Sequence, residues 1–211
     1  MKAFLGLMLV TSIASVSFAA IQKADDKNYS SQMKMAQNTS LPMSARWQSL
    51  IKAAEQAGPQ QIPEIAAFAK SNDWFMRNAA LVALEKINAG YAIDQAKILV
   101  QDKALVVRSA AVDMLAKKNS LEIKRIFAEE LSKPYNFSGN QSLWIRPQIM
   151  KVLAATASSE DRQFIARHLF DSDKKVAALS ASALEKISAI RFEDKNKVQS
   201  WQNYVKKNRW L

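Results

Sequence analysis

The sequence predicts an all-α protein, built from about five helix–turn–helix units in series and closed by one further helix at the C-terminus. Three observations predict it. Apolar residues recur at helical spacing from Leu41 onward. The chain repeats itself at a nearly fixed interval. Its composition is poor in glycine, with 4 among 211 residues, and rich in Ala, Leu, Lys, Glu and Gln, the good helix formers. An apolar fraction of 49% and a charged fraction of 23% suit a chain that buries a core.

The first element stands apart from the fold. Lys2 precedes the apolar run Ala3–Val16, and Ser17 and Ala19 place small residues where a signal peptidase reads. This pattern predicts a secretory leader over residues 1–19, cleaved after Ala19, and a periplasmic or secreted mature chain. The run is too short to cross a bilayer comfortably, so no transmembrane segment is expected after cleavage. Cysteine is absent, which excludes disulfides, thiolate metal sites, a cysteine nucleophile and a lipid-anchored lipoprotein. Residues 20–40 are polar and show no apolar period, and they read as a flexible N-terminal arm.

The repeat domain is expected over residues 41–190. Arg46, Arg77, Arg108, Arg146 and Ala177 form a column with steps of 31, 31, 38 and 31 residues. The seven extra residues fall in Ser132–Ser142, which holds Pro134 and Gly139 and reads as a loop. Six residues before each column position stand Ser40, Ser71, Asp102, Asn140 and Asp171, all short side chains that can cap the amides at a helix start. Four residues after it come Leu50, Leu81, Val112, Met150 and Ala181, and seven after it Ala53, Leu84, Leu115, Leu153 and Leu184. Each such helix follows a shorter apolar segment: Ile62–Lys70, Ala92–Val100, Leu121–Leu131 and Asp161–Phe170. A lone hairpin of this kind cannot cover its own apolar stripe, so neighbours are expected to stack into one continuous core. Residues 191–211 leave the period. Trp201, Tyr204 and Val205 share one helical face there, and a capping helix is expected.

The pattern resembles HEAT repeats, in particular the short bacterial HEAT-like units also found in phycobilisome-lyase proteins. Those repeats place an Asp in the turn and a Val-Arg pair at the opening of the second helix. Asp102–Arg108 (DKALVVR) matches in full, Ser71–Arg77 (SNDWFMR) and Asn140–Arg146 (NQSLWIR) match with conservative changes, and Asp171–Ala177 (DSDKKVA) lacks the arginine. The resemblance implies a right-handed α-solenoid and says little about function, since such repeats serve as scaffolds, adaptors and occasionally enzymes.

Arg77, Arg108 and Arg146 lie within about 40° of the core stripe on a helix that turns about 100° per residue. A buried guanidinium must be paired, so Arg46, Arg77, Arg108 and Arg146 are expected to form a structural ladder. Its expected acceptors are turn residues such as Asp102 and Asp171, of the same or the preceding repeat. Partner binding is expected at Lys133, Tyr135, Phe137 and Trp144, because loops on a rigid scaffold carry function and aromatics beside a base make good anchors. The opposing reading is that these rings fold back over a repeat junction.

No catalytic, metal-binding or cofactor-binding residues are assigned. The chain has one histidine, His168, and neither a glycine-rich phosphate loop nor a nucleophile elbow. Without Lys2, 29 basic side chains face 19 acidic ones, a net charge of +10. The expected function is an exported, monomeric, non-enzymatic scaffold that binds another protein along its concave face and through the 132–142 loop. The alternative is a basic solenoid that holds a polyanion: nucleic acid, anionic lipid or acidic glycan.

Overall fold

The computed structural model describes residues 27–211, and over these the chain is helical apart from its turns and one small hairpin. The leader expected over residues 1–19 lies outside the described residues. The chain divides into two compact units, one reaching to Gln95 and the other running from Ala96 to Leu211. An all-α fold is what the composition and periodicity predict.

The first unit opens with a helix over 27–37 (α1), followed by α2 (Met43–Gln56), α3 (Ile62–Ala66) and α4 (Trp74–Ile87). Helix α1 corrects the reading of residues 20–40 as a flexible arm, at least from residue 27. Tyr29, Met33 and Ala36 are spaced as one helical face, and all three are buried. A stripe this thin, one apolar residue per turn among polar neighbours, does not stand out as a period. Its contacts hold it: the Tyr29 hydroxyl donates to Glu64 Oε2 at 2.8 Å, and Arg46 Nε donates to the Ala36 carbonyl at 3.1 Å. α2 packs on α4, and so do α3 and the 3₁₀ turn Ala67–Lys70 that extends it. Leu50, Leu81 and Leu84 are sealed in this core, each contributing roughly 2 kcal/mol by leaving water.

Helix α5 (Ala89–Leu99) spans the division between the units. The second unit then holds α6 (Leu105–Ala116), α7 (Leu121–Glu130), a hairpin of β1 (Phe137–Ser138) and β2 (Gln141–Ser142), α8 (Ile145–Ala155), α9 (Arg162–Arg167), α10 (Lys174–Ser188) and α11 (Lys197–Lys207). α6 packs on α8 and α8 on α10, so its long second helices meet in chain order. α7 packs on α8, and α9 on α10. Ion pairs tie the first helices in the same order, Lys97 to Glu122 at 2.8 Å and Lys124 to Asp161 at 3.0 Å. α11 lies on α10 and on the 3₁₀ turn His168–Phe170, burying Trp201 and Val205 completely. Gln202 Nε2 adds a bond to the Leu169 carbonyl at 2.7 Å.

The loop that carries the seven extra residues contains the hairpin. β1 and β2 pair antiparallel, Phe137 opposite Ser142 and Ser138 opposite Gln141. Gly139 opens the two-residue turn with φ +57°, a conformation that costs other residues about 1–2 kcal/mol.

One expectation about the helix starts is corrected. The residues six before the column position were read as caps, yet the helices begin later. Ser71, Asp102 and Asp171 instead accept from the backbone N–H two residues on, in Asp73, Ala104 and Asp173. They close the turn before the helix. Asp173, two residues further along, is the residue that caps α10, accepting from the N–H groups of Lys175 and Val176.

Candidate interaction surface and the polar network beneath it

The column arginines sit at the start of the second helices with their guanidinium groups turned inward, and all four are buried. Arg46 bonds Asp73 Oδ2 at 2.6 Å, and Arg146 grips both oxygens of Asp171 at 3.1 and 2.6 Å. Both acids belong to the following repeat, whereas the expected partners were those of the same or the preceding one. The reason is geometric. The guanidinium groups of Arg46 and Arg146 point out of their own helices toward the turn between the two helices of the next hairpin. Same-repeat acceptors also occur, among them the backbone carbonyls of Ser71 and Asn72 for Arg77 and of Asp102 and Lys103 for Arg108. Three of the four arginines also carry an aromatic ring, from the next repeat at Arg46 and Arg108 and from its own repeat's loop at Arg146. Phe75 lies 5.2 Å from Arg46, Tyr135 5.2 Å from Arg108 and Phe137 4.2 Å from Arg146.

This arrangement decides what the 132–142 loop does locally. Tyr135 and Phe137 place their rings on the arginines below them. Asn136, wholly buried between them, accepts from Arg108 Nε at 3.0 Å and donates to the Glu130 carbonyl at 2.8 Å. The Tyr135 hydroxyl donates to the Glu130 carboxylate at 2.8 Å, and Arg108 donates to the Tyr135 carbonyl. Leu131 O and Ser142 Oγ complete the shell of Arg146. Two of the four expected partner-binding residues thus knit α6, α7 and α8 together. Lys133 is half-buried near Glu130, and its backbone carbonyl accepts from Asn136. Asn136 also opens an Asn-x-Ser pattern, and its burial keeps that side chain from modification in the folded chain.

Glu130 is only 1% exposed. Burial pushes its carboxyl above the ordinary 4.5, against the pull of hydrogen bonds from Tyr135 and Asn136 and of the charges of Lys133 and Arg108. Burial lowers Arg108 correspondingly. In the folded state Glu130 keeps its proton to higher pH than in the unfolded state, so its ionisation costs stability as pH rises from about 4.5 to the raised folded value. Glu130→Gln, which cannot ionise, should therefore gain on the wild type in urea titrations repeated from about pH 4 to about pH 7. A difference that stays flat with pH would contradict the assignment.

Trp144 behaves differently from its loop neighbours. It stands at the N-cap of α8, half exposed, with its indole on no other ring and in no hydrogen bond. With Pro147, Gln148 and Lys151 of α8 it forms one wall of an open groove of about 920 Å³. The other wall is the outward face of α10, with Lys174, Lys175, Ala178 and Leu179. Gln148 is fixed from the side by Ser109 and Asp113 of α6, at 2.8 Å each.

The remaining candidates are absorbed by the fold. His168 Nδ1 lies 2.9 Å from the Phe164 carbonyl, and its ring rests on Phe164. Lys86 and Lys186 reach back to the preceding second helix, to Glu55 at 3.0 Å and to the Ala155 carbonyl at 2.6 Å. Phe192, Trp201, Tyr204 and Trp210 pack edge to face beside α11. Among the described residues no group of three or more His, Asp or Glu is placed to hold a metal ion, and no helix is long and apolar enough to cross a membrane. No protein-family model matches the chain, and no curated protein matches it. The resemblance to HEAT repeats thus rests on the motif and its spacing.

Proposed function

We propose that the chain is an exported, non-enzymatic α-solenoid of HEAT-like hairpins whose work is to hold another protein. The α8–α10 groove is the observation that carries this reading. Inside the second unit the strong polar groups are spent on one another, arginine on aspartate, Asn136 on Arg108 and Glu130, Tyr135 on Glu130. A half-exposed tryptophan stands beside an open groove, and Trp is among the residues that dominate protein interfaces. The solenoid reading is supported within each unit by second helices that pack in chain order. The leader and the compartment rest on the Lys2–Ala19 pattern.

Photo-crosslinking tests the reading. A benzophenone side chain placed at Ala178, in the groove, should capture a partner from a periplasmic extract. The same group at Gln163, on the exposed side of α9, serves as the control. Equal capture at both sites, or none at Ala178, would set the groove aside.

A further inference from the structure

We infer that the α8–α10 groove takes a short acidic segment of a partner protein, seating an apolar side chain against Trp144 and carboxylates on Lys151, Lys174 and Lys175. This names the partner chemistry of the site proposed above and rests on that reading. Charge complementarity is the ground for it. Four lysines of the second unit are engaged, Lys97 with Glu122, Lys124 with Asp161, Lys197 with Glu185 and Lys186 with the Ala155 carbonyl, and those without a partner include three gathered on this groove. The ammonium groups of Lys151, Lys174 and Lys175 make no ion pair and no hydrogen bond, and all three are exposed along one groove.

The lining holds a single carboxylate, Asp173, which is already committed. It accepts from the backbone of Lys175 and Val176, with Ser142 and the charge of Arg146 beside it. Burial would raise its carboxyl, yet these contacts hold it below the usual aspartate range. Asp113 on α6 is bonded to Gln148. The groove therefore presents three cations against one engaged anion, over a floor of Trp144, Pro147, Ala178 and Leu179. A strip of cations around an apolar floor suits alternating acidic and apolar side chains. It suits a nucleic acid less well, since a strand stacks its bases on successive aromatics and this lining offers one.

The test pans a displayed library of random 12-residue peptides on the whole mature chain at low salt. Enriched sequences should be rich in Asp and Glu and carry at least one large apolar residue. The best peptide, synthesised and labelled, should bind Trp144→Ala roughly thirtyfold more weakly, the loss typical of an aromatic anchor. It should bind the Lys174→Glu, Lys175→Glu pair about tenfold more weakly, and neither variant should lose its unfolding midpoint. Enrichment of neutral or basic sequences would overturn the inference. So would acidic peptides that bind both variants as tightly as the wild type, although the chain would still be a peptide binder at another place. An oligodeoxythymidylate or anionic vesicles that bind through Trp144 and these lysines, where no peptide enriches, would assign the groove to a polyanion instead. No enrichment together with no capture at Ala178 would remove the protein-binding reading as well.

Discussion

Replacing Arg146 by alanine should lower the unfolding free energy by about 3–5 kcal/mol, the cost of stranding one member of a buried ion pair. The Asp171 side chain is only 10% exposed and binds Arg146 through both oxygens, so without its partner it is a desolvated charge. The Leu131 carbonyl loses its donor and the Phe137 ring its cation in the same step. Arg46→Ala supplies the internal comparison, because the Asp73 side chain is 39% exposed and water can take over the lost bond. Its cost should stay near 1 kcal/mol, the range of exposed pairs. A double replacement, Arg146→Met with Asp171→Val, should recover most of the loss, since an apolar pair of similar volume carries no desolvation penalty. Urea denaturation followed by circular dichroism reads all four proteins. Equal costs at Arg46 and Arg146 would mean that the column acts through something other than buried pairing.

Asn136→Leu should cost about 3 kcal/mol, although leucine nearly conserves the volume. Asn136 is wholly buried and serves two charged neighbours at once, accepting from Arg108 and donating to Glu130. Leucine leaves the Arg108 Nε–H without its acceptor and takes one donor each from the Glu130 carbonyl and carboxylate, which keep the Lys133 N–H and the Tyr135 hydroxyl, and unmet buried groups cost more than a formed bond contributes. The loop should also lose its register on α7. Hydrogen exchange at Leu143, whose N–H is held by the Asn136 carbonyl, should then quicken. Unchanged stability would show that water satisfies these groups and that the network is not closed.

The repeat was legible because its signal is local and periodic. Leu50 and Leu81 face inward four residues after the column and Leu115 and Leu184 seven after it, and the first helices fall where their apolar segments lie, as with Leu121–Glu130. What sequence does not carry is the offset between one hairpin and the next. That offset decides whether Arg146 finds an acid behind or ahead of it, and it hid that Asp171 serves the arginine of the repeat before its own. The same ignorance hid the stacking of Tyr135 and Phe137 on arginines. Their residue types suit a partner surface, and the positions of Arg108 and Arg146 set both rings against guanidinium groups while Tyr135 stays 39% exposed. Asn136, between a proline and a glycine, read as turn chemistry and gave no sign of burial. A missed signal was available at α1, where Tyr29, Met33 and Ala36 keep helical spacing. The groove was half legible, since Trp144 was picked out, but the lysines of α10 that face it come from the next repeat.

The central claim separates an inner network that holds the second unit together from an outer groove that binds. Tyr135→Ala combined with Phe137→Ala, compared with Trp144→Ala alone, tests it most directly when melting temperature and crosslinked capture at Ala178 are measured on both. The account predicts that the pair melts well below the wild type yet still captures partner below its midpoint, whereas Trp144→Ala melts normally and captures little. The reverse pattern, a stable pair that has lost capture and a tryptophan variant that keeps it, would contradict the account.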